Sequence, residues 1–244
     1  MNQKRKSVHK MISCFSEIFT DVLCPKRCIK CNCLVPIGRK ETLCDDCKKL
    51  VHKLFQVVVE PDSFFDEVIC ALPYEAFTRD AMLRYKFGGR RYLAMGFSKA
   101  VDLAVEEFGF ADEYSFICPV PTHRARDREY NQSYLIAREL GVNAQVAENL
   151  LIKLKNIRPL SSMGYLRRRE CIKGAIEFNL KYDIFGKNIL LVDDIYTTGS
   201  TVNECARILK MHGASKVTVL AACYRKGDDG NFHADNLRDQ ELRS

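Results

Sequence analysis

The stretch that most constrains the 244-residue sequence is residues 188–210, NILLVDDIYTTGSTVNECARILK. Its apolar run, residues 189–192, alternates too little for a half-exposed strand and predicts one buried on both faces. Two acids, Asp193 and Asp194, follow where that strand is expected to end. A short loop comes next, and then an amphipathic helix to about residue 212 that Gly213 would cap. In open α/β folds, ligands bind at this carboxyl edge of a parallel sheet.

The loop between this strand and this helix has the composition of a phosphate cradle. A loop that ends at a helix N-terminus presents free backbone N–H groups at the positive end of the helix dipole, where phosphate binds readily. Hydroxyl groups add donors, and a glycine leaves room for an anion. The residues concerned are Thr197, Thr198, Gly199, Ser200 and Thr201.

The two acids before the loop indicate what else the ligand carries. The loop has no lysine of the kind that ends a P-loop. Carboxylates do not bind phosphate; they accept hydrogen bonds from sugar hydroxyls or hold a divalent cation. The predicted ligand is therefore a sugar phosphate, with a ribose diol over Asp193 and Asp194 and the phosphate over the loop. The plainer alternative is a strand, loop and helix whose Asp and Ser residues are caps.

Residues 192–201, VDDIYTTGST, resemble the signature of type I phosphoribosyltransferases for phosphoribosyl pyrophosphate (PRPP). The resemblance implies that Asp193 and Asp194 bind the ribose 2′- and 3′-hydroxyls and that the loop binds the 5′-phosphate. It also implies an α/β fold of the type I phosphoribosyltransferase kind, doubly wound around a mainly parallel sheet.

Charge and cysteine content narrow the class of protein. The net charge is +7, and residues 1–60 hold twelve Lys and Arg against six acids. This balance suggests a polyanionic partner, either a nucleic acid or a phosphate-rich substrate, or else a solvated basic face. Twelve cysteines without an export signal favour reduced thiols and metal, hence a cytoplasmic protein. No apolar run reaches membrane-spanning length, so no stable membrane insertion is expected.

Two C-x2-C pairs near the start, separated by twelve residues, predict a small four-cysteine zinc ribbon. Each pair can place two thiolates on one side of a tetrahedral Zn²⁺, and four ligands close the site, which makes it structural. The predicted ligands are Cys28, Cys31, Cys44 and Cys47. Cys24 and Cys33 are surplus to this set.

The remaining pattern predicts four segments: an amphipathic helix within residues 1–23, the ribbon at 24–50, the phosphoribosyltransferase-like domain at 51–226 and a polar, mobile tail at 227–244. Strands are predicted at 66–74, 115–121, 145–154, 175–180 and 216–224. Helices are predicted at 78–87, at 90–110 and from about 131 to 140.

Basic residues near the predicted site are candidates for pyrophosphate. Lys86 lies beside a glycine turn, and a polar loop follows the predicted strand at 115–121. Donors from that loop would be Arg124, Arg126 and Arg128. A second basic loop, residues 155–174, resembles the lid that closes on PRPP in this superfamily, or is a nucleic-acid surface or solvated loop. Asn131 and Gln132 are either helix caps or ligand contacts.

The order of motifs resembles the ComF family: the ribbon, residues 83–89, PVP at 119–121, YNQS at 130–133 and the PRPP signature. This resemblance spans about residues 20–225. It implies a zinc finger joined to a phosphoribosyltransferase-like domain, with a role in natural competence. Residues 155–160 and 171–176 lack the Thr, Gln and Asn of the family pattern, which weakens any inference about an acceptor base.

The sequence is compatible with two alternative functions. In the first, the protein binds PRPP with Mg²⁺ and transfers phosphoribosyl to an unidentified nitrogen nucleophile. In the second, it is a non-enzymatic module of the competence machinery that binds single-stranded DNA or protein partners, and its pocket is a nucleotide sensor or a relic.

Overall fold

A six-stranded sheet organises the computed structural model, which describes residues 22–109, 113–122, 130–154 and 174–225. Its order is β1-β2-β8-β7-β3-β4, and every neighbouring pair is parallel except β1 with β2. Two further strands, β5 and β6, form a separate antiparallel pair. The strands are β1 (Gln56–Val58), β2 (Glu67–Pro73), β3 (Phe116–Pro119), β4 (Gln145–Val146), β5 (Leu151–Lys153), β6 (Ile176–Phe178), β7 (Asn188–Tyr196) and β8 (Lys216–Tyr224).

Helices cover both faces of this sheet, as the doubly wound prediction required. They are α1 (Asp45–Val51), α2 (Ala76–Phe87), α3 (Ala94–Phe108), α4 (Gln132–Arg138) and α5 (Ser200–Met211), with 3₁₀ turns at His52–Leu54 and Arg91–Leu93. Leu190 and Val192 of β7 pack with α3 and α4, whereas Ile189 and Leu191 pack with α5. Burial on both sides is why the central strand shows no polar alternation.

One predicted strand, at residues 145–154, differs from the structure. A single strand was expected there, but β4 ends at Val146 and the chain turns, with the N–H of Leu150 donating to the carbonyl of Ala147 (3.2 Å). The chain resumes as β5, which leaves the main sheet and pairs with β6. Ala147 is small and apolar, and such a residue can lie in a tight turn as well as in a strand. The apolar pattern therefore did not reveal this break. The edge strand β1 is a further difference, because no strand was predicted at residues 56–58.

The cysteine-rich segment shares its core with the sheet domain. Ile29 and Leu43 are almost completely buried, in the same apolar cluster as Phe97 and Val101 of α3. The contact is close at Gly96, where an added Cβ would lie 2.3 Å from Thr42 Oγ1 and 2.9 Å from the Thr42 carbonyl oxygen. Backbone packs directly on backbone at this point, so the ribbon is held rigidly on α3.

Several predicted segments lie outside the described residues: almost all of the N-terminal helix, the arginines at 124, 126 and 128, most of the 155–174 loop, and the tail at 227–244. None of the helices in the described part combines the length and the apolar run that a membrane crossing requires.

The Gly96 contact predicts a steric cost. Gly96→Ala should lower the free energy of unfolding by about 2 kcal/mol, because its methyl group would overlap the Thr42 backbone. Urea denaturation followed by circular dichroism measures this. The matched control is Gly141→Ala, where an added Cβ meets nothing closer than 3.8 Å. Equal stability of the two variants would contradict the packing described here.

Candidate functional site

Asp193 and Asp194 lie inside β7, which continues to Tyr196, so the prediction that they follow the end of the strand was wrong. Asp193 is in register with Ala221 of β8. Its Oδ1 accepts the N–H of Asp194 (2.8 Å) and the Ser133 hydroxyl (3.2 Å). Burial raises the pKa of Asp193 to about 7, and the charge of Asp194 acts in the same direction. The nearby Lys86 and the two hydrogen bonds oppose this rise.

Asp194 is only 9% exposed and forms an ion pair with Lys86, whose Nζ lies 2.8 Å from Asp194 Oδ1. Both side chains are largely withdrawn from solvent, so the pair is far less screened than a surface ion pair. Lys86, the residue predicted to bind pyrophosphate, is therefore held beside the acid pair in this structure.

The position of Lys86 is determined by contacts between the last turn of α2 and the start of α4. The buried Tyr85 hydroxyl donates to the Gln132 carbonyl (2.7 Å), and Gln132 Nε2 donates to the Lys86 carbonyl (3.4 Å). The Tyr130 hydroxyl donates to the Tyr85 carbonyl. These bonds anchor α2 at the residue before Lys86 and at Lys86 itself, which directs the ammonium group toward Asp194.

The YNQS run, residues 130–133, supplies most of this framework. Asn131 is the N-cap of α4: its Oδ1 accepts the N–H of Tyr134 (3.3 Å), and its Nδ2 donates to the Val120 carbonyl (3.1 Å). Of the two alternatives left open by the sequence, the cap is the one observed for Asn131. Ser133 adds the contact to Asp193, a role that sequence analysis missed. The polar run at the start of an apolar helix was the available signal.

The loop after β7 leads into α5 through Gly199, which has a left-handed backbone (φ 68°). The N-cap residue is Gly199, which has no side chain to cap the helix. The N–H of Asn203 donates a hydrogen bond to the Gly199 carbonyl (2.8 Å). The N–H groups of the first helical turn therefore point toward the loop, as an anion site requires. The Thr198 and Ser200 hydroxyl oxygens lie 3.0 Å apart beside them, while Thr197 is exposed and Thr201 is partly buried.

The aromatic ring of Tyr196 lies against this loop at Gly199. A Cβ at Gly199 would lie 2.6 Å from the Tyr196 hydroxyl oxygen, so only glycine allows this approach. Tyr196 is buried, and its hydroxyl donates to Glu60 Oε1 (2.5 Å). The acids and the helix N-terminus thus lie on one strand-to-helix connection, with hydrogen-bond acceptors at one end and donors at the other.

The structure brings together the four cysteines predicted as metal ligands, with all Sγ atoms within 4.8 Å of one another. Cys31 Sγ lies 3.7 Å from Cys44 Sγ, close to the roughly 3.8 Å that a tetrahedral site with Zn–S bonds of about 2.3 Å would produce. Cys28 Sγ accepts the N–H groups of Lys30 and Cys44, both at 3.4 Å. Burial raises the pKa of the Cys28 thiol, and these two hydrogen bonds oppose that rise. The donor set and its spacing are compatible with a structural zinc site.

Of the two surplus cysteines, Cys33 lies beside this cluster, with its Sγ 3.2 Å from Cys31 Sγ. Cys24 is exposed.

Partial burial of Asp193 predicts a pH-dependent stability. A carboxyl whose pKa is raised in the folded protein stabilises it at low pH, and that contribution is lost as pH rises toward 7. Asp193→Asn removes the cost of the buried charge and keeps an acceptor for Ser133. Its thermal midpoint should exceed that of the unmodified protein at pH 8, by the equivalent of roughly 2 kcal/mol, and match it near pH 4.

The matched control for this experiment is Asp194→Asn, which leaves Lys86 without its partner and should destabilise the protein at pH 8. Thermal denaturation at both pH values measures the two variants. Equal midpoints for Asp193→Asn and the unmodified protein at pH 8 would contradict the raised pKa.

Comparison with known proteins agrees with this geometry. Residues 143–236 match the model of the phosphoribosyl transferase domain. Competence protein F of Haemophilus influenzae is 26% identical over 144 residues, 56% of this chain and 63% of that protein. Competence protein ComFC of Streptococcus pneumoniae is 32% identical over 151 residues, 61% of this chain and 64% of that protein. The chain thus spans less than two thirds of the length of these curated relatives.

Among solved structures, a hypoxanthine phosphoribosyltransferase from Staphylococcus aureus is 10% identical, with a TM-score of 0.35, over 55% of this chain and 65% of that one. The fold assignment rests on the domain match and the sheet order described above. Over 56–61% of its length the chain is similar to these two competence proteins, and its matched phosphoribosyl transferase domain follows a cluster of four cysteines.

Proposed function

We propose that the protein binds PRPP, or a closely related ribose phosphate, at the carboxyl end of β7. The observation that carries this proposal is the single connection that holds Asp193, Asp194 and the uncapped N-terminus of α5. The acids accept the ribose hydroxyls, and residues 197–201 donate to the 5′-phosphate. The pyrophosphate then lies against Lys86 and the arginines at 124, 126 and 128, with Mg²⁺ offsetting its charge.

The reaction proposed for this site is phosphoribosyl transfer. A nitrogen of the acceptor forms a bond to the anomeric carbon, and the bond to pyrophosphate breaks with its electron pair on the leaving oxygen. The nitrogen then gives its proton to solvent. Positive charge develops on the ribose in the transition state, and the two carboxylates lie where they stabilise it. The protein contributes positioning and charge stabilisation, without a covalent intermediate.

Lys86 has two roles in this proposal. Without ligand, it neutralises Asp194 and lowers the cost of two adjacent buried carboxylates. With PRPP bound, hydroxyl groups take over as partners of the acids, and the ammonium group becomes available to the pyrophosphate. The bonds between α2 and α4 keep Lys86 close enough for both.

Binding is tested by calorimetry with Mg-PRPP on the zinc-loaded protein, with pyrophosphate release measured in parallel. The double variant Asp193→Asn/Asp194→Asn should weaken binding by about 100-fold or more, since each lost charged hydrogen bond costs roughly 1.5–3 kcal/mol. A matched control is Asp45→Asn/Asp46→Asn, an adjacent acid pair that is exposed on α1. No binding by the folded, unmodified protein would contradict the proposal, and pyrophosphate release would identify turnover.

We also propose that the four-cysteine cluster holds one structural Zn²⁺. Cys47→Ser should lose the metal and destabilise the segment packed on α3, because the cluster closes between the two C-x2-C pairs. Cys33→Ser is the matched control and should keep one zinc per chain. Elemental analysis after dialysis measures both, and loss of zinc from the control alone would overturn the ligand assignment.

The biological role proposed is DNA uptake during natural transformation, in the cytoplasm. It rests on the two relatives that are named competence proteins. A non-enzymatic role, in which the protein binds single-stranded DNA or competence proteins, is the second candidate. The basic excess of residues 1–60 is the feature that favours it.

A further inference from the structure

A cavity lies between the cysteine-rich segment and α2, and neither acid of the pair lines it. Its volume is about 760 Å³, within the range of small-molecule sites. One wall is the chain at residues 24–32 together with Lys40, and the other is one face of α2 with the turn that follows it. The proposed PRPP site does not include any of these lining residues.

The cavity is strongly basic. Five of its described lining residues carry a positive charge and none carries a negative one: Lys26, Arg27, Lys40, Arg84 and Arg90. Lys40, Arg84 and Arg90 form no ion pair with any residue that the structure describes. Three cations without an ion-pair partner among the described residues, close together on a concave surface, attract an anion.

The two remaining cations are oriented by the backbone of the cysteine-rich segment. Lys26 Nζ donates to the Arg39 carbonyl (3.1 Å), and Arg27 Nη1 donates to the Asn32 carbonyl (3.0 Å). These bonds restrict the two side chains and so reduce the entropy lost when an anion binds.

Two exposed aromatic side chains lie on the same cavity. Phe77 is 46% exposed and Tyr92 is 39% exposed, although both line a concave surface. Phe77, Ala81 and Arg84 follow one another at helical spacing on one face of α2, and the small Ala81 leaves space between the ring and the guanidinium. A flat aromatic ligand can stack on such rings while an attached anion reaches the arginines.

The geometry points to a binding site for a nucleoside phosphate in this cavity, with the base on Phe77 and the phosphates on Arg84, Arg90 and Lys40. The ligand is a free mononucleotide, because the cavity has the volume of a small-molecule site. Arg84 and Lys86 are two residues apart in α2 but serve different sites: Arg84 lines this cavity and Lys86 contacts Asp194.

Calorimetry with ADP and AMP on the full-length, zinc-loaded protein tests this site. Arg84→Glu/Arg90→Glu should abolish ADP binding, whereas Arg79→Glu, an exposed position of α2 that does not line the cavity, should leave it unchanged. Phe77→Ala should weaken ADP about tenfold and pyrophosphate little, because only the base stacks on the ring. Zinc content and circular dichroism confirm that each variant is folded.

Three outcomes would overturn the inference. The first is that ADP binding persists in Arg84→Glu/Arg90→Glu but is lost in Asp193→Asn/Asp194→Asn, which would place the nucleotide at the acid pair. The second is that oligothymidylate binds while ADP and AMP do not, which would make the cavity part of a surface for single strands. The third is that pyrophosphate and ADP respond equally to Phe77→Ala, which would leave no base contact.

Discussion

Two adjacent carboxylates near the end of a buried strand are costly to withdraw from solvent, and contacts around them reduce that cost. Asp194 is neutralised by Lys86, and Asp193 accepts two hydrogen bonds. Burial still raises the pKa of Asp193 to about 7, so the compensation is incomplete. Carboxyl groups with shifted pKa values are concentrated at functional sites, which is consistent with the ligand site proposed here.

The compensation depends on how helices meet. Lys86 reaches Asp194 because α2 is fastened to α4 by Tyr85, Tyr130 and Gln132. The same short α4 presents Ser133 to Asp193. One junction between two helices therefore supplies a partner to each acid, and a change in that junction would alter both.

The cysteine-rich segment shares an apolar core with these helices. Its buried Ile29 and Leu43 pack in the core that also contains Phe97, and Gly96 allows backbone contact with Thr42. A metal-dependent change in this segment would therefore alter its packing against α3. The basic cavity also lies along this boundary, with one wall from the segment and the other from α2.

Local sequence determined the parts of the structure that local chemistry decides. The apolar run of β7, the glycine before α5 and the spacing of the cysteine pairs predicted a buried strand, a helix N-terminus without a side-chain cap and a four-cysteine cluster. Each of these features depends on a few neighbouring residues. The end of β7 was misjudged. Pairing with β8 continues the strand through the acids, and such pairing depends on residues more than twenty positions away.

Only the tertiary structure determined which basic residue lies at the acid pair and which lie at the cavity. One short stretch of sequence contains Arg84, Lys86 and Arg90. In the structure Lys86 contacts Asp194, whereas Arg84 and Arg90 line the basic cavity. The break between β4 and β5 was decided in the same way, because β5 pairs with β6 and no local signal reports that partner. Contacts between residues far apart in the chain are absent from local patterns, and those contacts determine which ligand a given side chain can reach.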